Sequence, residues 1–137
     1  MHLKTFVLLA SSTLTLTAAD PEGFVYWPKG VSSPAPKFAN HGLSISHRDK
    51  DGVAELHQKQ TDIMVVQSGE AKLTLGGTLV GQTTASPGEL RGTAIKDGVT
   101  KTLAPGDVIH IPSNMAHQFF VEKGKQITYF VVKVDNP

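Results

Sequence analysis

The chain has 137 residues, enough for one domain with a real core and no need of covalent staples. Lysine and arginine number 13 against 12 aspartate and glutamate, and so even a balance gives no electrostatic footing for nucleic-acid binding. Cysteine is absent, which excludes disulfides, thiol nucleophiles, iron–sulfur clusters and cysteine-ligated zinc, so any chemistry rests on nitrogen and oxygen.

The N-terminus has a character of its own. Lys4 precedes Phe6-Val7-Leu8-Leu9-Ala10, and the apolar trend runs through Leu14 and Leu16 to Ala18-Ala19. Small residues at Thr17 and Ala19 stand three and one before a cut ahead of charged Asp20. This predicts a signal peptide over residues 1–19 and a secreted or periplasmic protein with no membrane association once it is cleaved. Serines and threonines interrupt the run, which is also short of the ~20 apolar residues of a spanning helix. Residues 20–40 follow as an extended arm, broken by Pro21, Gly23, Pro28, Gly30, Pro34 and Pro36. Its apolar cluster, Phe24 to Trp27, is expected to pack on the main domain or on a neighbouring subunit of a homodimer.

From residue 41 to 137, strand-like runs alternate with turn signals. The predicted strands are Leu43–His47, Val53–Gln58, Asp62–Val66, Ala71–Leu75, Leu90–Ile95, Asp107–Ile111, His117–Val121 and Gln126–Val134. Between them stand Asp49-Lys50-Asp51-Gly52, Ser68-Gly69-Glu70, Gly76-Gly77, Lys96-Asp97-Gly98 and Glu122-Lys123-Gly124. Short strands at this spacing predict an all-β sandwich or barrel, and no stretch sustains a helical period. Thr78–Pro87, rich in threonine and glycine, reads as a long loop or hairpin.

One segment, Pro105 to His117, is the most informative. Pro105-Gly106-Asp107 is a turn, Val108 to Ile111 a β-branched run, and Pro112-Ser113-Asn114 a loop before strand propensity resumes at His117. The arrangement resembles the second conserved motif of the cupin superfamily, with Gly106, Pro112 and His117 at that family's spacing. Asn114 stands where the family usually has glycine, and Val121 where it often has asparagine. The resemblance implies an antiparallel double-stranded β-helix, or jelly-roll barrel, over residues 41–137.

The first cupin motif is a pair of histidines two apart, an acid a few residues on, then glycine seven past the acid. Asp62 and Gly69 fit that interval, and counting back puts His57 at the second histidine and Glu55 at the first. The rival register makes Lys59 the second histidine and puts Ile63 or Met64 at the acid, so it is rejected. The resemblance therefore implies a ligand set of Glu55, His57, Asp62 and His117 around a divalent ion. Two nitrogens and two oxygens favour iron or manganese, with zinc and nickel left open.

Strand alternation is consistent with that set. Val53, Glu55 and His57 share one face, Ala54 and Leu56 the other, and Glu55 and His57 lie about 7 Å apart at Cα. A carboxylate aimed into a barrel is costly unless it is paired, hydrogen-bonded or bound to metal. The plainer role for Glu55 is a salt bridge to Lys59, Lys72 or Arg91, and for Asp62 a cap at the start of its strand. His110 and Gln118 read as structural, and His47 as lining a barrel mouth or lying on the surface. The resemblance implies that the segment of Glu89 and Arg91 runs beside the metal-bearing strands, which would place Arg91 to clamp a substrate carboxylate, against a plainer ion pair of Glu89 with Arg91 or a lysine.

Two functions are open on these residues. One is a small metalloenzyme, a dioxygenase, isomerase or decarboxylase acting on a low-molecular-weight oxygenated substrate. The other is a non-catalytic module that binds a sugar or carboxylate with little or no metal.

Overall fold

In the computed structural model, the described residues are 19–30, 34–35 and 38–137. The signal peptide expected over residues 1–19 lies outside them but for its last residue. Twelve strands are present among the described residues: β1 (His41–Arg48), β2 (Ala54–His57), β3 (Gln60–Gly69), β4 (Ala71–Leu75), β5 (Thr78–Val80) and β6 (Thr83–Ser86) in the first half. Then come β7 (Glu89–Gly92), β8 (Ala94–Lys96), β9 (Val99–Leu103), β10 (Val108–Ile111), β11 (His117–Phe120) and β12 (Ile127–Asp135). Four strands pair in the order β1-β12-β3-β10, six in the order β6-β7-β2-β11-β4-β9, and β5 and β8 form a separate ribbon. Every pairing is antiparallel.

The region expected as a long loop or hairpin, Thr78–Pro87, is mostly strand: β5 pairs with β8, and β6 forms a hairpin with β7. The run expected as one strand from Leu90 to Ile95 breaks at Thr93, between β7 and β8, where Thr93 N donates to the Val80 carbonyl oxygen; a Cβ on neighbouring Gly92 would lie 2.6 Å from that oxygen. β9 answers to no predicted strand. Its Val99-Thr-Lys-Thr face is exposed, so no apolar alternation betrays it, and pairing with β4 makes it a strand.

The core lies between the two sheets. Met64 and Val66 of β3, Leu73 of β4, Ile111 of β10, Phe119 of β11, and Ile127, Tyr129 and Val131 of β12 fill it by period-2 alternation. Each such side chain contributes about 1.5–3 kcal/mol on burial. Phe119 and Tyr129 stack with centroids 5.0 Å apart, and Arg48 closes this end, its guanidinium over Phe119 and its Nε donating to the Tyr129 hydroxyl. Ala54, Leu79, Leu90 and Ala116 make a second cluster, with Leu56 packed against it. The two faces expected of β2 thus both have apolar or polar work inside the fold.

The glycine and asparagine at the turns take the conformations their positions require. Gly69 has φ +77°, and a Cβ there would lie 1.9 Å from the Gln126 carbonyl oxygen. Asn114 adopts φ +62°, the left-handed conformation that asparagine tolerates better than most residues. In the arm, the Trp27 ring sits edge-on to Phe130 of β12, with centroids 6.3 Å apart.

Candidate metal centre

At the end of the core opposite Arg48, the inward positions of four strands turn polar. On β3 the inward series Val66, Met64 ends at Asp62; on β12 the series Ile127, Tyr129, Val131 ends at Lys133. Asp62 and Lys133 are direct partners across these strands. On β11, His117 precedes inward Phe119, and it pairs with Glu55 of β2. His57 follows Glu55 at the next inward position and pairs with Glu89 of β7.

Glu55, His57 and His117 converge: one ligand atom from each lies within 4.8 Å of the others. The two imidazole centroids are 5.0 Å apart. His117 and Asp62 are about 1% exposed and His57 7%, which places these groups where an unpaired charge is expensive.

The hydrogen bonds fix which ring nitrogens face inward. His57 Nδ1 makes a hydrogen bond to Glu89 Oε2, and a carboxylate there puts the proton on Nδ1. His117 Nδ1 lies 3.2 Å from the Met115 carbonyl oxygen, which likewise accepts a hydrogen bond from Nδ1–H. Both neutral rings then present Nε2 lone pairs to a common point. His117 Nε2 is buried with no hydrogen-bond partner, 3.4 Å from Glu55 Oε1 and 3.9 Å from Asp62 Oδ2. Lone pairs facing one another at such distances repel unless a proton or a metal ion lies between them. This donor set fits a divalent metal ion. Charge agrees, since the carboxylates of Glu55, Asp62 and Glu89 against the ammonium of Lys133 leave two negative charges with both rings neutral.

Asp62 is engaged differently from its three companions. Its Oδ1 and Oδ2 accept from Lys133 Nζ at 2.8 and 3.1 Å, and Nζ is also 3.0 Å from His57 Nε2. Without an ion, a proton on His117 Nε2 would face Glu55: burial works to raise that carboxyl, but His117 so protonated, with His57 and Lys133, holds it below its usual value. Burial likewise opposes ionised Asp62, and His57 and Lys133 overcome it and hold that carboxyl low. For His57, burial lowers the imidazolium, yet Asp62 and Glu89 flanking the ring raise it above the ordinary histidine value, against repulsion from Lys133.

The loop that carries His117 is tied to the strand that carries His57. The Asn114 amide donates to the His57 carbonyl oxygen at 2.8 Å, and its side-chain Nδ2 reaches the Gln58 carbonyl oxygen at 3.4 Å. At the other end of the motif, Gly106 N donates to Val66 O and Val66 N to Asp107 O.

Solved structures match this architecture. An uncharacterized conserved protein with a double-stranded β-helix domain from Klebsiella pneumoniae gives a TM-score of 0.54 at 15% identity, over 82% of this chain and 84% of its own. The chain has the cupin fold. Hydroquinone 1,2-dioxygenase from Sphingomonas sp. TTNP3 is similar to it, with a TM-score of 0.53 at 12% identity over 74% of this chain. An oxalate oxidase gives 0.51 at 16% identity over 70%. This cupin barrel spans 63% of the dioxygenase chain and 42% of the oxalate oxidase chain. No family model matches the sequence, and no curated protein matches it either.

Within the cupin barrel, the other candidate residues fall as follows. Arg91 is the cross-strand partner of Glu55, on the same face and exposed, and it makes no ion pair among the described residues. Glu89 pairs with His57 rather than with Arg91 or a lysine, which corrects the plainer expectation for that segment. Glu55 faces His117 and makes no salt bridge to Lys59, Lys72 or Arg91. His110 points out of β10 and is exposed, and Gln118 Nε2 donates to the Gly52 carbonyl oxygen. His47 bonds Thr128 and lines a cavity of about 780 Å³ beneath Trp27, away from the barrel interior. Two residues of the centre went unrecognised in the sequence: Lys133, and Glu89 as the partner of His57.

Proposed function

We propose that this is a secreted or periplasmic cupin that holds a divalent ion with Glu55, His57 and His117 and acts there on a small oxygenated molecule. The observation that supports it most is the buried His117 Nε2, left without a partner while facing Glu55 and His57. A bound ion supplies a Lewis-acid or oxygen-activating centre. The chain's own residues supply the rest. Glu89 holds the proton of His57 on Nδ1 and fixes the ring's direction. Glu55, kept ionised by its surroundings, is a ligand or takes up a proton from substrate. Arg91, unpaired beside Glu55, offers a bidentate fork to a substrate carboxylate.

Dioxygenation, isomerisation and decarboxylation are the reaction classes that suit such a centre. The dioxygenase and the oxalate oxidase that share the fold are named for small oxygenated molecules. A second reading, a carboxylate-binding module without metal, is favoured by Lys133, whose ammonium already lies against Asp62 and His57. Metal analysis of protein purified without added metal or affinity tag separates the two. About one divalent ion per chain, lost in His117→Ala, is the expected result; metal-free protein that still binds a carboxylate favours the second reading.

A further inference from the structure

Lys133 is the one cation of the described residues within hydrogen-bonding distance of this donor set. It sits at the inward end of β12, the side chain is 37% exposed, and its Nζ meets both oxygens of Asp62 and Nε2 of His57. A divalent ion at the point shared by Glu55, His57 and His117 would need the same His57 lone pair and would approach the same ammonium. Two cations cannot share that nitrogen, and like charges a few ångströms apart in a partly desolvated site repel strongly. Asp62, meanwhile, is committed through both of its oxygens to the lysine.

We infer that Lys133 is a built-in competitor of the metal ion: its ammonium withholds Asp62 from the ligand set and limits the affinity of the site for divalent ions. The inference rests on the proposed metal-holding reading. It assigns the ion to three protein donors, Glu55, His57 and His117, with Asp62 as counter-ion of the lysine. When an ion binds, Lys133 must leave His57 while keeping Asp62, and the work of that displacement weakens binding.

Calorimetric titration of chelator-treated protein with Mn(II) and Co(II) tests this on the parent, Lys133→Met, Lys133→Gln and Lys133→Arg. Removing the charge should tighten binding about tenfold or more, as Asp62 becomes free to ligate, while Lys133→Arg should give no gain. The Co(II) absorption spectrum should change in Lys133→Met, reporting the added oxygen donor. Metal-dependent rise in melting temperature, larger in Lys133→Gln than in the parent, gives the same answer for a variant that folds poorly alone. Binding by the neutral variants with none by the parent supports the inference and overturns the resident-metal reading. Parent binding that the neutral variants match or weaken overturns the inference and leaves that reading intact. No binding by any of the four proteins overturns both.

Discussion

Asp62 and Lys133 face each other across β3 and β12, and their side chains meet at 2.8 Å where the apolar core gives way to the polar centre. A buried carboxylate, about 1% exposed, is thereby matched by a lysine whose stem continues the line of Ile127, Tyr129 and Val131. Breaking such a pair from one side leaves a buried charge uncompensated, at a cost of about 3–5 kcal/mol for a fully buried pair and less for one open to solvent like this. Lys133→Met should therefore lower the stability of chelator-treated protein in urea unfolding, and Lys133→Met with Asp62→Asn should recover part of the loss. Equal stability of the parent and Lys133→Met would show that the pair is already solvated.

Glu89 acts on the centre through His57. Glu89→Ala removes the acceptor of Nδ1–H, which frees the ring to turn and makes Nε2 a weaker donor. Affinity for Mn(II) or Co(II) should fall about 10–100-fold. His57 proton chemical shifts should change with it, and an unchanged affinity would mean that the ring is held by packing alone.

The pH dependence of stability has two limbs in metal-free protein. Glu55 and Asp62 have carboxyls held below the ordinary values of 4.5 and 3.8, so ionisation favours the folded state. Their contribution is full above those values and is lost as pH falls below them through the depressed folded values. His57 has the opposite sign: raised above 6.5, it favours folding below that value and loses this contribution as pH rises through the higher folded one. Urea midpoints should thus decline both in acid and above neutrality. In Glu55→Gln with Asp62→Asn the acid decline should shrink.

Gly69 and Gly106 predict a contrast. Both have positive φ, +77° and +91°, but only Gly69 has backbone in the way of a Cβ. Gly69→Ala should cost about 3 kcal/mol or more, and Gly106→Ala about 1–2 kcal/mol, the conformational part alone. Denaturation midpoints of the two variants measure the difference.

Exported protein should begin near Asp20, as N-terminal sequencing would read. An intact Met1 in the exported fraction would refute the signal peptide.

The barrel was legible in the sequence because its elements alternate apolar residues with turn chemistry. Pro105 to His117 announced a turn, a strand and a loop, and each is present with Asn114 in the left-handed conformation. The convergence of Glu55, His57 and His117 was likewise readable, since one strand face and one motif position located all three. Glu89 was not, because its role depends on the register that sets it opposite His57, and no local pattern fixes register between β2 and β7. Lys133 was readable in principle. Ile127, Tyr129 and Val131 alternate inward, and the next step of that period is Lys133. A lysine near the end of a strand looks like a solvated edge until the strand's apolar face is followed to its last residue.

The hydrogen bond from the Asn114 amide to the His57 carbonyl has a kinetic meaning. It pins the His117 loop to the neighbouring strand, so the two histidines cannot part by a swing of that loop. Glu55 and Lys133 are among the more exposed groups of the centre, at 21% and 37% of their side chains. Rotation of such side chains takes picoseconds to nanoseconds, whereas opening a hydrogen-bonded loop takes far longer. A small molecule that entered past those side chains would not wait for the loop to open. Amide hydrogen exchange at Asn114 should stay slow whether or not a divalent ion is added.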